Sequence, residues 1–415
     1  MKRLMSLLIM ALPLILMGQQ YNLNDLIQQG MEKSWTTQRG RLSYESSASQ
    51  LSSATWELLP DADLGLRINQ NLHNQTPAAD LTSSFNFNIS KVISLNDPAW
   101  NNYRQAGITK AKAALNLQTS NSAYAYQVFD AYIKVLSAQK QLKSLTENLA
   151  IQTRVWEQAK VLRQLGKNTD FDVKQSEIAV MNSRISVMQL ENTIRSNRQS
   201  LFGLVQIADE GFPLADLEPD KEFQVPELNP EAVNEIKLLK AEIKSARLTR
   251  NQSRLDFLPR LSLGYGLSRN ISGDNFEFDT YSTTHNIYLN LSYSLWNQFT
   301  QHQSSKRSDI SYRLAELELM DKTDELGRQY QNATQELEYL NRLDELYREK
   351  LEQSSQQIKI AEERYRLGLI ELLELDKTRT DYIDADIAYN ANLYQILAKQ
   401  QNLNFLLSRP ILGKW

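Results

Sequence analysis

Apolar and polar residues alternate in four short segments of the chain, and long helical patterns fill the stretches between them. After Leu59-Pro60, Leu64, Leu66 and Ile68 fall on one face of a strand, with Asp63, Gly65, Arg67 and Asn69 on the other. About 200 residues later Leu258-Pro259 opens a matching segment, with Leu261, Leu263, Tyr265 and Leu267 against Ser262, Gly264, Gly266 and Ser268. The returning segments correspond as well: Phe85, Phe87 and Ile89 in the first half, and Ile287, Leu289, Leu291, Tyr293 and Leu295 in the second. The pattern is one unit written twice: helix, strand, loop, strand, long helix and return helix.

The helical segments set the boundaries. Tyr21 to about Glu57 reads as one helix, with Leu23, Leu26, Ile27 and Met31 at helical spacing. Strands follow at about 61–72 and 83–94, joined by a polar loop from about His73 to Ser83. Asp97-Pro98 has the form of a helix N-cap followed by proline in the first turn. From about 98 to 163 nothing interrupts the pattern before Gly166, a length of roughly 100 Å at 1.5 Å per residue. A return helix covers about 170–204, so the first repeat spans 19–204. Gly211, Pro213, Pro219, Pro226 and Pro230 make 205–230 a connector. Asn229-Pro230 restarts a helix that runs to Asp256. Strands at about 260–270 and 284–296, a long helix at about 298–367 and a return helix at about 370–408 complete a second repeat, 231–408, before a short tail at 409–415.

The flanking helices are far longer than the strands, so no segment is left over to cover the strands' apolar sides. Each strand has the length of a tilted membrane-spanning strand, about 9–11 residues or slightly more. The apolar sides would then face lipid. Trp296, Tyr288, Tyr293, Phe299 and Tyr281 lie near strand ends, where aromatic girdles sit. The competing reading is a small water-facing β-sandwich attached to helices. Four strands do not close a barrel, and an open sheet leaves unpaired edges, so the missing strands come from other copies of the chain.

Composition narrows the setting. Lys2 and Arg3, the apolar run Leu4 to Met17 and the small Gly18 form a secretory signal over residues 1–18. No later stretch is apolar for long enough to span a bilayer as a helix, which leaves strands as the inserting element. The absence of cysteine removes disulfides, thiolate metal sites and a lipidated N-terminus together. A net charge of −3 with no concentrated basic face argues against nucleic acid.

Two helix-to-strand junctions ending in Leu-Pro, the returning segments ending in Ser90-Lys91-Val92-Ile93 and Ser292-Tyr293-Ser294-Leu295-Trp296, and two glycine turns recur in a fixed order. The turns are Arg163-Gln164-Leu165-Gly166-Lys167-Asn168-Thr169 and Arg364-Tyr365-Arg366-Leu367-Gly368-Leu369. In these features the chain resembles the TolC-type outer-membrane efflux proteins, the outer membrane factors. The resemblance implies a mainly α fold with transmembrane β: long helical hairpins forming a trimeric α-barrel in the periplasm, and four strands per chain contributing to one twelve-stranded barrel in the outer membrane. It also implies a homotrimer embedded in outer-membrane lipid. Such a trimer serves as a passive exit duct of a tripartite efflux or type I secretion system, working with a periplasmic adaptor and an inner-membrane pump. The connector would occupy the equatorial region.

The glycine turns join each long helix to its return helix and so lie at the end remote from the strands. By the resemblance, Leu165, Gly166, Lys167, Leu367, Gly368 and Leu369 are expected to contact the adaptor; read alone, the glycines are simply helix stops. After the second turn comes an acidic series, Glu371, Glu374, Asp376, Asp381, Asp384 and Asp386, most of which reads as a solvated helix face. In a trimer, any member facing the bore becomes a ring of three, and confined like charges attract cations. The resemblance places Glu374, and Asp172 in the first copy, at the acidic position of the family's constriction, with Tyr365 at a tip tyrosine. Lys377 stands where a second acidic residue is expected, and Ile370 where an arginine is.

No enzyme signature is present. His73, His285 and His302 are isolated, Gly264 and Gly266 sit inside a strand, and the four methionines beyond the signal are scattered. No catalytic residue, cofactor or metal is expected. The functional alternatives are a soluble periplasmic coiled-coil scaffold or adaptor, and a secreted glycan-processing enzyme, which would need clustered carboxylates and aromatics in one compact domain.

Overall fold

The computed structural model describes residues 20–70, 81–272 and 281–413. The signal segment expected over 1–18 lies outside these residues, as do His73 and the greater part of the loops between strands. The chain divides into two compact units. One takes the described part of Met1–Gln38 with Asn121–Glu227 and Tyr330–Trp415; the other takes Arg39–Ser120 and Leu228–Gln329.

The second unit carries the strands. β1 (Asp61–Gln70), β2 (Leu81–Val92), β3 (Arg260–Ser272) and β4 (Tyr281–Ser292) form a single antiparallel sheet in the order β1-β2-β3-β4. The hairpins of the two repeats are thus joined through β2 and β3, with register pairs such as Phe87↔Leu267 and Ile89↔Tyr265. Leu64 pairs with Phe87, and Leu263 with Leu289, so the apolar residues of all four strands share one face. That face is bare: Leu66 is 73% exposed and Ile287 79%. The opposite face carries Asn86, Asn88, Gly264, Gly266 and Ser268, where Ser268 Oγ donates to Asn86 Oδ1 at 2.9 Å.

Tyr288 departs from the girdle expected of it. It lies within β4 on the polar face, its hydroxyl donating to Asn88 Oδ1 at 3.0 Å, with its ring over Gly264. Strand parity decides this, because Tyr288 alternates with the lipid-type residues Ile287 and Leu289. A Cβ at Gly264 would run into that ring, which accounts for the glycine. Tyr281, Tyr293, Trp296 and Phe299 are exposed at or beyond the strand ends.

Helices α1 (Leu23–Lys33) and α2 (Trp35–Trp56) replace the single helix expected over Tyr21–Glu57. The break is at Ser34, whose backbone is extended and whose hydroxyl accepts from Thr36 N–H at 3.3 Å, an N-cap inside an otherwise continuous pattern. Further on come α3 (Pro98–Gln164), α4 (Asp170–Val205), α5 (Asn234–Leu255), α6 (Asn297–Arg366) and α7 (Leu372–Leu406). Pro230–Ala232 is a 3₁₀ turn rather than the start of a helix, since the buried Val233 is extended and α5 begins after it.

In the first unit, Leu23, Leu26 and Ile27 of α1 pack with Tyr124, Phe129 and Tyr132 of α3, Leu201 and Phe202 of α4, and Leu397 of α7. The connector is fastened to this core. Tyr21 forms a parallel bridge to Leu214, and the Tyr132 hydroxyl donates to the Ala215 carbonyl at 2.6 Å. Gln400 exchanges two bonds with the Asp220 backbone, and Tyr330 donates to the Pro226 carbonyl at 2.9 Å. A second core of Leu337, Leu340, Ile396 and Leu403 holds Phe223. Proline therefore shapes the connector while side chains from the helices fix it. No described helix is both long and apolar enough to cross a membrane.

Candidate functional site at the helical turns

Both long helices end in the same hydrogen-bonded stop. After α3, Gly166 N–H donates to Arg163 O at 2.9 Å and Lys167 N–H to Leu162 O at 2.9 Å, with Gly166 at φ +73°. After α6, Gly368 N–H donates to Tyr365 O and Leu369 N–H to Arg364 O, each at 2.9 Å, with Gly368 at φ +70°. This pair of bonds is the Schellman stop, which requires a left-handed residue where glycine carries no Cβ penalty. A Cβ would meet nothing within 4 Å at either position, so the requirement is one of backbone conformation alone.

Around the stops the apolar residues are uncovered. Leu165, Leu367 and Leu369 are each about two-thirds exposed, and Lys167 is exposed too. Two further residues belong with them that sequence reasoning passed over: Phe171 and Leu373, both exposed, stand at the same spacing after the two turn glycines. The repeated spacing of a large apolar side chain after each glycine was the signal available.

The return helices start differently. Thr169 caps α4 through a full capping box: its N–H and hydroxyl donate to Asp172 Oδ2 at 2.8 and 2.7 Å, and Asp172 N–H donates back to Thr169 Oγ1 at 3.2 Å. These bonds hold the Asp172 carboxyl below its ordinary range. Asp172 is therefore engaged within its own chain. In the second copy Glu371 occupies the N-cap with no side-chain bond, and Glu374 is free of capping duty. Glu374 is exposed and has only a loose ion pair, 3.8 Å from Arg364 Nη1.

The acidic series sorts by helix face. Glu374, Lys377, Asp381 and Asp384 lie on the exposed face of α7, at three- and four-residue spacing. Asp376 lies on the other side, where burial raises its carboxyl above the usual range against the opposing pull of Arg379 and a bond from Gln152. Arg379 is itself 8% exposed and donates to Glu362 Oε1 at 3.0 Å, while its Nε and Nη1 have no partner among the described residues. The half-buried Tyr365 meets both copies. Its hydroxyl is pushed up by burial first, and also by the negative charges of Asp376 and Asp172. The fold thus brings Tyr365, Asp172 and Asp376 into one electrostatic neighbourhood, and sets Glu374 and Lys377 facing outward from it. Among the described residues, no group of three or more His, Asp or Glu side chains is placed to hold a metal ion.

The family model described as outer membrane efflux protein matches residues 26–205 and 233–409. No protein with a curated description matches the sequence. Among solved structures, the CmeC outer membrane channel of Campylobacter jejuni is similar at 16% identity and a TM-score of 0.79, over 93% of this chain and 85% of that one. The outer membrane protein VceC of Vibrio cholerae aligns at 12% identity and a TM-score of 0.78, over 94% and 96% of the two chains. The open state of the Neisseria gonorrhoeae MtrE channel aligns at 15% and 0.74, over 93% and 89%. At these identities the structures establish the shared fold; the match of the family model to most of the sequence establishes the family. This chain belongs to the outer membrane efflux protein family and is an outer-membrane efflux duct, not a soluble adaptor.

Proposed function

We propose that the chain is the homotrimeric exit duct of a tripartite efflux or type I secretion system, receiving cargo from an inner-membrane pump through a periplasmic adaptor. The observation that carries the membrane end of this reading is the four-stranded sheet, with one largely apolar face, exposed at residues such as Leu64, Leu66, Ile287 and Leu289, and both edge strands unpaired among the described residues. Such a sheet is stable when lipid solvates the face and neighbouring copies complete the edges. Three chains would supply twelve strands.

The adaptor would dock on the glycine turns. Leu165, Lys167, Leu367 and Leu369, with Phe171 and Leu373, give two similar apolar surfaces per chain, and apolar patches of this kind mark docking sites. The gate would be the outward face of α7, where three copies of Glu374 form a carboxylate ring and Lys377, one turn on, tempers its field. Asp172 supports the reading less, because its carboxyl is spent on the capping box. Tyr365 would close the packing beneath the ring. The protein itself performs no chemistry in this scheme; the pump supplies the energy.

Single-channel recording in planar bilayers tests it. Small cation-preferring currents are expected, with Glu374→Gln reducing the preference and Lys377→Ala increasing it. A folded trimer that conducts under no condition would refute the duct, while unchanged selectivity in both variants would remove Glu374 from the bore. Because the chain has no cysteine, Leu367→Cys provides a unique attachment point for testing adaptor cross-linking.

A further inference from the structure

The two margins of the sheet continue into helices. Within the second unit α2 packs on α3, where Leu117 lies against Gly40 and Glu57 accepts from Asn102 Nδ2 at 3.1 Å. α3 meets α5 through Gln105 with Ser245 and through Lys112 with Glu242. α5 meets α6 through Arg254 with Asp309 at 2.9 Å, and Gln301 Nε2 donates to Ser253 O at 2.7 Å. The helix order α2-α3-α5-α6 thus repeats the strand order β1-β2-β3-β4, and α2 and α6 stand at the two outer margins.

Each margin keeps an uncovered face, and the two faces differ in charge. On α2, Leu42 and Trp56 are exposed about four turns apart on one side. From Leu42 to Leu66 the sequence holds Glu45, Glu57, Asp61 and Asp63 and no basic residue. Glu45 pairs with Arg41, whereas Glu57, Asp61 and Asp63 are exposed and form no ion pair among the described residues. On α6, Phe299, Ile310, Leu314 and Leu317 are exposed along one side, with Lys306 among them. From Asn297 to Ser308 the charged residues are Lys306 and Arg307, both exposed and both without an ion pair among the described residues. Asp309, the next acid, is turned to α5 by Arg254.

We propose that these faces bind each other between copies: the acidic margin of one chain, α2 with the start of β1, seats against the basic first turns of α6 in the next. This rests on the reading that the chain assembles with its own copies, and it adds which surfaces meet and in what sense. The strands supply continuity. β1 begins and β4 ends at the helical end of the sheet, so a β4-to-β1 junction sets α6 of one copy beside α2 of the next. The charges supply direction, because unlike margins attract while two acidic or two basic margins repel. Pairing of β1 with β1, or of β4 with β4, is thereby disfavoured. Every contact then has the same sense, the heterologous kind that can close into a ring. Trp56 and Phe299, each in the helical turn nearest the sheet, add apolar contact on the two sides.

The test is charge reversal in the full-length protein, purified from membranes in detergent, with assembly followed by native mass spectrometry on dilution. Lys306→Glu with Arg307→Glu, and separately Glu57→Lys with Asp61→Lys, should each weaken assembly by about tenfold or more, since like charges then face one another. All four together should return it to within about threefold of the wild type. Circular dichroism checks folding, and a second measurement leaves the charges intact. Because the chain has no cysteine, Trp56→Cys with Phe299→Cys should give covalent oligomers with a short bismaleimide, and either alone should not. Wild-type assembly in both reversed proteins, losses that add rather than cancel, or equal cross-linking by the single-cysteine proteins overturns the proposal and leaves the duct standing. A loss confined to the Lys306 and Arg307 variant that scales with anionic lipid in a bilayer assigns that face to lipid and overturns it too. A wild type that is monomeric throughout refutes the assembled duct along with the contact.

Discussion

The two helical turns are copies of one device, and comparing them separates what the fold needs from what remains for function. Their stops are the same: a glycine in the left-handed region and two backbone bonds of 2.9 Å. Their restarts differ. The first seals itself, with Thr169 and Asp172 locked in a capping box and Arg163 paired to Asp170 at 2.5 Å. The second leaves its cap unmade and its carboxylate, Glu374, facing outward. Beneath the turns the contrast deepens. At the position where the second copy buries Arg379, the first has Glu177, partly exposed and paired with Lys174 on the surface. The first copy is a rigid stop, whereas the second carries unmet polar capacity next to its turn.

The largest expected difference comes from that buried arginine. Arg379→Met removes the pair to Glu362 and leaves Asp376 buried without its neighbouring cation, at a cost of about 3 kcal/mol, the low end for a buried pair because Glu362 is half-exposed. Glu177→Met at the matching position should be within experimental error in the same denaturation series. If the two variants are equally stable, the asymmetry proposed here is absent.

Next in size are the glycines. Gly166→Ala and Gly368→Ala each force a Cβ into the left-handed region and should each cost about 1–2 kcal/mol, since open space surrounds both. Equal losses in urea titrations support the identity of the stops; a marked inequality breaks it. Thr169→Ala removes a cap that the second copy lacks and should cost about 1 kcal/mol, while Glu371→Ala should cost nothing measurable. Hydrogen exchange across Asp170–Val205 and Leu372–Leu406 would resolve the two.

The smallest effect is in acid, and its sign differs between copies. Asp172 has a depressed pKa, so the stability it contributes is present above the unfolded value, near 4, and is lost as pH falls through the folded one. Asp376 has a raised pKa, so the folded state gains protons more readily and gains stability as pH falls through that value toward the unfolded one. Acid should therefore loosen the start of α4 and tighten α7. Asp172→Asn should abolish the first response and leave the second, as read by exchange rates between pH 6 and pH 3.

Much of this was legible in the sequence. Alternation marks all four strands, and Gly166 and Gly368 mark both turns, because each is a local signal in which a single residue or a period of two decides the outcome. What escaped depends on contacts between distant segments. The burial of Asp376 and its bond from Gln152, which lies on another helix, cannot be read from the local pattern, nor can the pairing of Arg379 with Glu362. The capping box of Asp172 was local and could have been read from the Thr169-x-x-Asp172 spacing, a form of the cap motif with aspartate in place of glutamate. Ser34 hid for a related reason: a serine followed by tryptophan does not interrupt an apolar period, and only its cap geometry parts α1 from α2. Tyr288 shows that nearness to a strand end is a weaker guide than odd or even position along it.

The sheet has an even number of strands, so β1 and β4 run in opposite directions. When copies line up side by side, β4 of one therefore meets β1 of the next head to tail, and the up-and-down weave continues with no parallel seam. Such a ribbon is indifferent to how many copies it joins, because every junction is alike. In the proposed trimer, the number of copies would therefore be set by the helices rather than by the strands.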